Sequence, residues 1–326
     1  MLLVTGGAGF IGSNVVAALN DAGRSDVAAC DLLGSDGKWR NLAKRQLADV
    51  VPPAELPDWL KGRKLDAVIH LGAISETTAS DGDLVIETNF RFSMRLLDWC
   101  TANAVPLIYA SSAATYGDGA EGFDDDASLP ALKKLRPMNL YGWSKQLFDL
   151  AVAGRAANGD RLPPQWAGLK FFNVFGPNEY HKGTMMSVLA RRFDDVKAGR
   201  VVQLFKSHRD GIADGDQRRD FIYVDDVVRV ILWLLATPAV SGLFNVGTGK
   251  ARSFRELMLA AYAALGTRPN IDYVDMPEQI RGSYQYFTES KVDRLHRAGY
   301  NGGFTTLEDA VKAYVADYLD RPDRFR

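Results

Sequence analysis

Cysteine is scarce in this chain. Cys30 and Cys100 are the only two among 326 residues. That excludes a disulfide framework, and the pair reads as small apolar filler in a reducing compartment. Histidine is nearly as sparse. His70, His181, His208 and His296 are too scattered to suggest a zinc cluster, so no metal is expected. Neither sign of charge dominates: 39 Lys and Arg stand against 40 Asp and Glu, for a formal net charge of −1. A nucleic-acid partner ordinarily calls for a basic excess and is not expected. No apolar run approaches the ~20 residues that span a bilayer, so no membrane partner is expected either. The opening residues already read as a strand, which leaves no room for a signal peptide, and the cytoplasm is the expected location. Internal repeats and low-complexity tracts are missing too. The rest is ordinary globular protein, 47% hydrophobic and 24% charged, long enough for one large domain and a smaller one.

What is there begins at once. The first twelve residues, MLLVTGGAGFIG, carry an apolar strand at Leu2–Val4 into a tight turn, with an apolar helix opening at about Phe10. Gly6, Gly9 and Gly12 suit a turn that bends sharply, approaches a pyrophosphate closely and packs its helix on the strand. The helix start offers unpaired N–H groups and a partial positive charge to the phosphates. A second apolar run, Val27–Cys30, ends in Asp31, where an acid would grip a ribose hydroxyl. A dinucleotide site is the expectation; a glycine turn without a ligand is the alternative.

Strand-like runs recur at Ala67–Leu71, Leu107–Ser111, Gly168–Phe175 and Leu243–Val246, with helical stretches such as Leu84–Asn103 and Asp226–Ala236 between them. Interiors apolar on both faces are what parallel strands between helices require. The expected fold is therefore α/β, a Rossmann-type doubly wound parallel sheet with a smaller α/β substrate lobe. Residues 1–172, completed by 220–246, form the dinucleotide-binding part. Residues 173–219 and 247–326 form the substrate lobe, with helices near Thr184–Lys197, Phe254–Leu265 and Leu307–Leu319. The Ser207–Gln217 stretch lacks the alternating ligands of a calcium loop and reads as a surface loop. Asp225 reads as an N-cap for the helix that follows.

Tyr141 and Lys145 make Tyr-x-x-x-Lys at the start of a helix, within NLYGWSKQLFD. The four-residue step puts both on one face, and a nearby ammonium would lower the phenol pKa toward that of a base. Ser112, at the end of the preceding strand in YASSAATYG, is placed to hydrogen-bond a substrate oxygen as charge moves onto it. A structural serine is the plain alternative.

The set GGAGFIG, SSAATYG, YGWSK, FNVFGP and RDFIYVDDV resembles the extended short-chain dehydrogenase/reductase superfamily, in its nucleotide-sugar epimerase and dehydratase branch. The likeness covers essentially the whole chain. It implies that Tyr141 is the catalytic base, that Lys145 orients the nicotinamide ribose and tunes the tyrosine, and that Ser112 assists. A narrower resemblance, to the 6-epimerases of ADP-linked heptoses, rests on YHKGTMMSV at 180–188, DGK at 36–38, the SSAATYG spelling and GSYQYFT at 282–288. By that likeness Lys182, on spelling alone a solvated loop lysine, is a second acid/base group on the far face of the sugar. The cofactor is implied to lie along Gly6, Gly9, Phe10, Ile11, Gly12, Asp31, Leu32, Lys38, Leu71, Gly72, Ala73, Ile74, Ser75, Asn89, Tyr141, Lys145, Val174 and Lys182. The nucleotide-sugar substrate is implied to meet Ser112, Asn173, Thr184, Arg191, Phe205, Arg219 and Tyr284, with Arg219 suited to a phosphate clamp.

The resemblance favours NADP, on Lys38 with Arg40 and Lys44 close by, while Asp31 favours NAD. It also implies a homo-oligomer. Two departures bear on the cofactor. Ala73–Glu76 replaces the family's cysteine, serines and threonine, and Val50–Pro53 stands where a second phosphate-binding lysine belongs. The 207–217 loop is also longer than expected. The rival readings are an NAD-dependent UDP-hexose 4-epimerase, a 4,6-dehydratase and a dinucleotide-sensing regulator without turnover. Ala114–Thr115 at the place of a dehydratase's Asp-Glu pair weighs against the second. Retention of Ser112, Tyr141 and Lys145 weighs against the third.

Overall fold

The computed structural model describes residues 1–281 and 284–326. Seven strands form a parallel sheet: β1 (Leu2–Thr5), β2 (Val27–Cys30), β3 (Asp49–Val51), β4 (Ala67–His70), β5 (Leu107–Ser112), β6 (Trp166–Phe171) and β7 (Gly242–Val246). Their order is β7-β6-β5-β4-β1-β2-β3, and every pairing is parallel. The winding reverses between β1 and β4, where such a sheet opens a crevice at its carboxyl edge. This is a Rossmann-type α/β fold.

β1, β2, β4, β5 and β7 are buried along their whole length, because helices cover both faces. Alternation along β1 shows it: Leu2 and Val4 join Val15, Val16 and Ile231 in one apolar cluster. Leu3 joins Leu97, Phe148 and Val152 in another. A third cluster, with Phe175, Phe193, Tyr223 and Tyr314, belongs to the smaller elements. There Asn173–Phe175 pairs with Arg218–Tyr223, and Arg218–Tyr223 with Ala251–Ser253. Val202–Phe205 pairs with Ile271–Val274.

Several expected elements come out differently. The run Gly168–Phe175 is two strands, because the chain leaves the sheet edge at Phe172 and Asn173–Phe175 pairs elsewhere. Residues 220–223 accordingly lie in the three-stranded sheet, while the Val224–Ala236 helix packs on Phe10–Asp21 and β7 closes the main sheet. The helix expected from Leu84 starts at Gly82, capped by Asp81, and is interrupted by a π-turn over Glu87–Arg91 that buries Asn89. The helix expected from Thr184 starts at Val188, where Ser187 accepts the Ala190 N–H. Asp225 is not an N-cap. The helix begins at Val224, and Asp225 sits in its first turn, paired with Arg326. Residues 207–214 run over the surface, tied by the Ser207 N–H to Asp214 at 2.7 Å. Among the described residues no helix is long and apolar enough to cross a membrane.

A buried hydrogen-bond relay locks β1, β4 and the following helix together. Ser93 donates to the Asn89 carbonyl at 2.6 Å, so it accepts from His70 Nε2 at 2.8 Å. His70 Nδ1 then accepts from Thr5 at 2.6 Å, and Thr5 accepts from the Gly72 N–H at 3.2 Å. Burial pushes the His70 imidazole down to about 3. An unfolded histidine titrates near 6.5, so the unfolded chain binds more protons below that pH, and the stability His70 contributes is lost as pH falls from about 6.5 toward 3. Between pH 7 and pH 5 this should cost about 2 kcal/mol. Urea unfolding at the two pH values, compared with His70→Gln, measures it; equal slopes for both proteins would remove His70 from the acid response.

Candidate active site

A cavity of about 780 Å³ lies along the carboxyl edge of the sheet, walled by residues from Gly6 to Thr288. Its floor is the glycine turn. Gly6 has φ +66°, and a Cβ there would lie 2.6 Å from the Gly72 amide nitrogen; one on Gly12 would lie 2.1 Å from the Gly6 oxygen. Only glycine permits this approach. The Phe10–Asp21 helix has Gly9 at its N-cap and no side-chain cap, which leaves first-turn N–H groups for a phosphate. Asp31 accepts from the Ala8 N–H at 2.9 Å and the Leu32 N–H at 2.8 Å, and pairs with Lys38 at 2.8 Å. The cradle and the acid at the end of β2 fit a nicotinamide dinucleotide.

Ser112 ends β5, and its Oγ accepts from the Ala114 N–H at 3.1 Å. Asn139 caps the helix Leu140–Asn158, whose first turns put Tyr141 and Lys145 on the same wall. Lys145 is buried and donates to the Ala110 carbonyl at 2.9 Å. Burial holds its ammonium down at about 8, with Asp149 pulling the other way. The lowering expected for the Tyr141 phenol is not found. Burial raises it, Asp149 adds to the rise, and a hydrogen bond with Ser112 offsets part of it.

Two cations complete the wall. Lys182, in the short turn Tyr180–Met185, has its Nζ 5.3 Å from the centre of the Phe10 ring and no hydrogen bond from that nitrogen among the described residues. Burial lowers its pKa against the pull of Glu179. Arg219 is 7% exposed. It donates to the Arg218 carbonyl at 2.9 Å and lies over Phe254 and Tyr284 at 5.6 and 5.1 Å, with no carboxylate partner among the described residues. A buried, unpaired guanidinium is a site for an anion.

The sequence profile of the NAD dependent epimerase/dehydratase family matches residues 2–247. The chain belongs to that family. Its curated relatives include an ADP-L-glycero-D-manno-heptose-6-epimerase of Nitratidesulfovibrio vulgaris, 48% identical over 330 residues and the whole of both chains. One of the same name from Fusobacterium nucleatum is 43% identical over 335 residues, again over both whole chains. Among solved structures, the Helicobacter pylori ADP-L-glycero-D-manno-heptose-6-epimerase superposes with a TM-score of 0.81 at 27% identity, covering 97% of this chain and 95% of that one. Thermus thermophilus UDP-glucose 4-epimerase, in complex with NAD, gives 0.73 at 26% identity, covering 96% and 97%.

As a member of this epimerase/dehydratase family the chain is an enzyme, and most of the residues its motifs single out line one cavity: Gly6, Gly9, Phe10, Ile11, Gly12, Asp31, Lys38, Leu71, Gly72, Ala73, Ser75, Ser112, Tyr141, Lys145, Asn173, Val174, Lys182, Arg219 and Tyr284. Six do not reach its wall. Leu32 is 67% exposed and turns away after its N–H meets Asp31. Ile74 exchanges backbone hydrogen bonds with the Asn89 side chain, which also donates to Ser144 at 2.9 Å, so Asn89 is a buried clamp that touches the cavity through its neighbours. Thr184 and Arg191 are on the outside of their turn and helix. Phe205 acts at one remove, with its ring 6.4 Å from that of Tyr284. Of the GSYQYFT string, Gly282 and Ser283 lie outside the described residues. The wall also takes His181, Ser187, Gln285 and Thr288, which the motif strings contain without marking.

The last residues strap this edge. The Arg40 guanidinium stacks 4.4 Å over the Phe325 ring, Lys44 pairs with Asp323 and donates to the Phe325 carbonyl, and Tyr180 meets Phe325 edge-on at 5.3 Å. The Arg326 N–H donates to Asn178 at 3.0 Å.

Proposed function

We propose that this chain inverts C6 of ADP-D-glycero-D-manno-heptose to ADP-L-glycero-D-manno-heptose, for the inner core of lipopolysaccharide, with NADP held throughout. The observation that carries the reading is that Tyr141 and Lys182, from segments forty residues apart, line one cavity together with the unpaired Arg219. Residues 1–172 and 224–246 carry most of the cofactor site, joined by Val174, His181 and Lys182, and the rest of residues 173–223 and 247–326 holds the sugar nucleotide. The enzyme works in the cytoplasm as a homo-oligomer.

A carbon bearing an unactivated hydroxyl cannot be inverted by proton removal, because its C–H is not acidic until a carbonyl exists. When bound, the dinucleotide supplies the needed chemistry, reversible hydride exchange at C6. The chain does the rest. Tyr141 takes the hydroxyl proton in one orientation of the sugar, and Ser112 hydrogen-bonds the same oxygen. Lys145 holds the ribose side of the site with its ammonium. Lys182 serves the opposite orientation, and Arg219 with Asn173 holds the diphosphate. Incubation with ADP-heptose and separately with UDP-galactose, followed by NMR, tests the reading. Inversion of the first alone is expected; inversion of the second alone would replace it with a hexose 4-epimerase.

The purified protein should carry its dinucleotide without any being added, since nothing is gained by releasing it between half-reactions. Acid release followed by mass spectrometry should find NADP. NAD alone would end the NADP assignment and leave the epimerase standing.

A further inference from the structure

His181 is a wall residue that the reaction does not use. It lines the cavity with Asp31 and Lys38, half-buried. Its Nδ1 lies 3.2 Å from the amide nitrogen of Asn41, a residue 1% exposed. That same nitrogen donates to the Ala8 carbonyl at 2.8 Å and to the Asn178 carbonyl at 3.2 Å. Two carbonyls fix which end of the amide faces this way, so a proton on Nδ1 would meet its N–H groups, and the single ring proton belongs on Nε2. Nε2 has no hydrogen-bond partner among the described residues.

The other cations near Asp31 are committed elsewhere. Arg40 is stacked on Phe325 and Lys44 is tied to Asp323 and the Phe325 carbonyl. Val50–Pro53 offers no charge. Lys38 remains, paired with Asp31 at 2.8 Å. A phosphate monoester at the ribose 2′ position needs more than one donor that is already shared with a carboxylate.

We propose that His181 is the second ligand, with Lys38, for the 2′-phosphate of the cofactor, and so sets the preference for NADP over NAD. The inference rests on the NADP reading above. A dianion here accepts from Nε2–H and from the Lys38 ammonium, both bonds assisted by the charge of the phosphate. The charged groups facing the imidazole are Lys38, Asp36 and Asp31 from the segment after β2, and Lys182 from its own turn. Burial and the two lysines hold it below the ordinary histidine value while the aspartates oppose them. A second proton would sit on Nδ1 against the Asn41 amide, so the imidazole meets the phosphate as a neutral donor. NAD brings no 2′-phosphate.

The full-length protein is equilibrated with equal NADP and NAD at pH 8, where the 2′-phosphate is a dianion, freed of unbound nucleotide, and its bound nucleotides are counted by mass spectrometry after acid release. Groups that touch both cofactors alike cancel in the ratio. Wild type should favour NADP. His181→Gln should lower the ratio about tenfold, the size of one hydrogen bond to a charged group, with total occupancy unchanged. A wild-type ratio at or below one sinks the NADP reading and this proposal together. A wild-type preference that His181→Gln leaves intact sinks only the assignment of His181. If the variant binds no nucleotide at all, His181→Asn decides: a ratio equal to that of wild type overturns the proposal, and a lowered one upholds it.

Discussion

Tyr141→Phe should abolish inversion while the protein still carries its cofactor, a loss of about 10²–10⁴-fold. The substitution deletes one oxygen from a half-buried ring and changes almost no volume, so the cap at Asn139 and the Lys145 bond to Ala110 remain. What disappears is the group that carries the hydroxyl proton. Its phenol is raised by burial and stays protonated at neutral pH in the protein alone. Deprotonation needs positive charge added to this cavity, which a bound oxidised nicotinamide would bring and which a dry pocket screens little. Inversion of ADP-heptose by NMR, with bound nucleotide counted in the same sample, measures it. Activity within a few-fold of wild type would take the tyrosine out of the mechanism.

Lys182→Met should cripple inversion to a similar extent, about 10²–10⁴-fold, with fold and bound cofactor unaltered. The lysine nitrogen makes no hydrogen bond among the described residues: its contact is the Phe10 ring at 5.3 Å, and methionine can replace the stem. Its pKa is lowered by burial, the direction a lysine must move to exchange protons near neutrality. Lys182→Arg keeps the charge and should not restore activity, because a guanidinium does not give up its proton. Circular dichroism and cofactor content serve as controls. A methionine variant that epimerises normally would return the mechanism to one base.

The parts of this site that were legible in the sequence are those with a local reason. Gly6, Gly9 and Gly12 sit where a side chain would strike backbone, and Tyr141 and Lys145 sit one helical turn apart, so their spacing alone predicts their neighbours. β3 was invisible because only Val51 is buried and a short edge strand has no periodicity. The break at Phe172 was hidden because two adjoining apolar strands of different sheets look like one. His181 and Ser187 lay inside a motif already quoted, but their place on the wall depends on Asn41 and on the cap of the next helix, contacts no spacing reveals. The raised Tyr141 phenol was missed for the same kind of reason. Adjacency to Lys145 was legible, and the burial that raises the phenol was not.

The strap formed by Asp323–Arg326 has a consequence in time. In chain order β1 and the glycine turn precede everything else in this sheet, and strands β1 to β6 are all made before residue 172. The Lys182 turn follows immediately, yet Tyr180, Asn178, Arg40 and Lys44 wait for partners at the very end of the chain. At about 5–20 residues per second that wait is on the order of 10 s. A nascent chain can therefore fold its glycine turn well before the Lys182 turn is fixed, and a dinucleotide bound early would act as a template on which the later half is laid down.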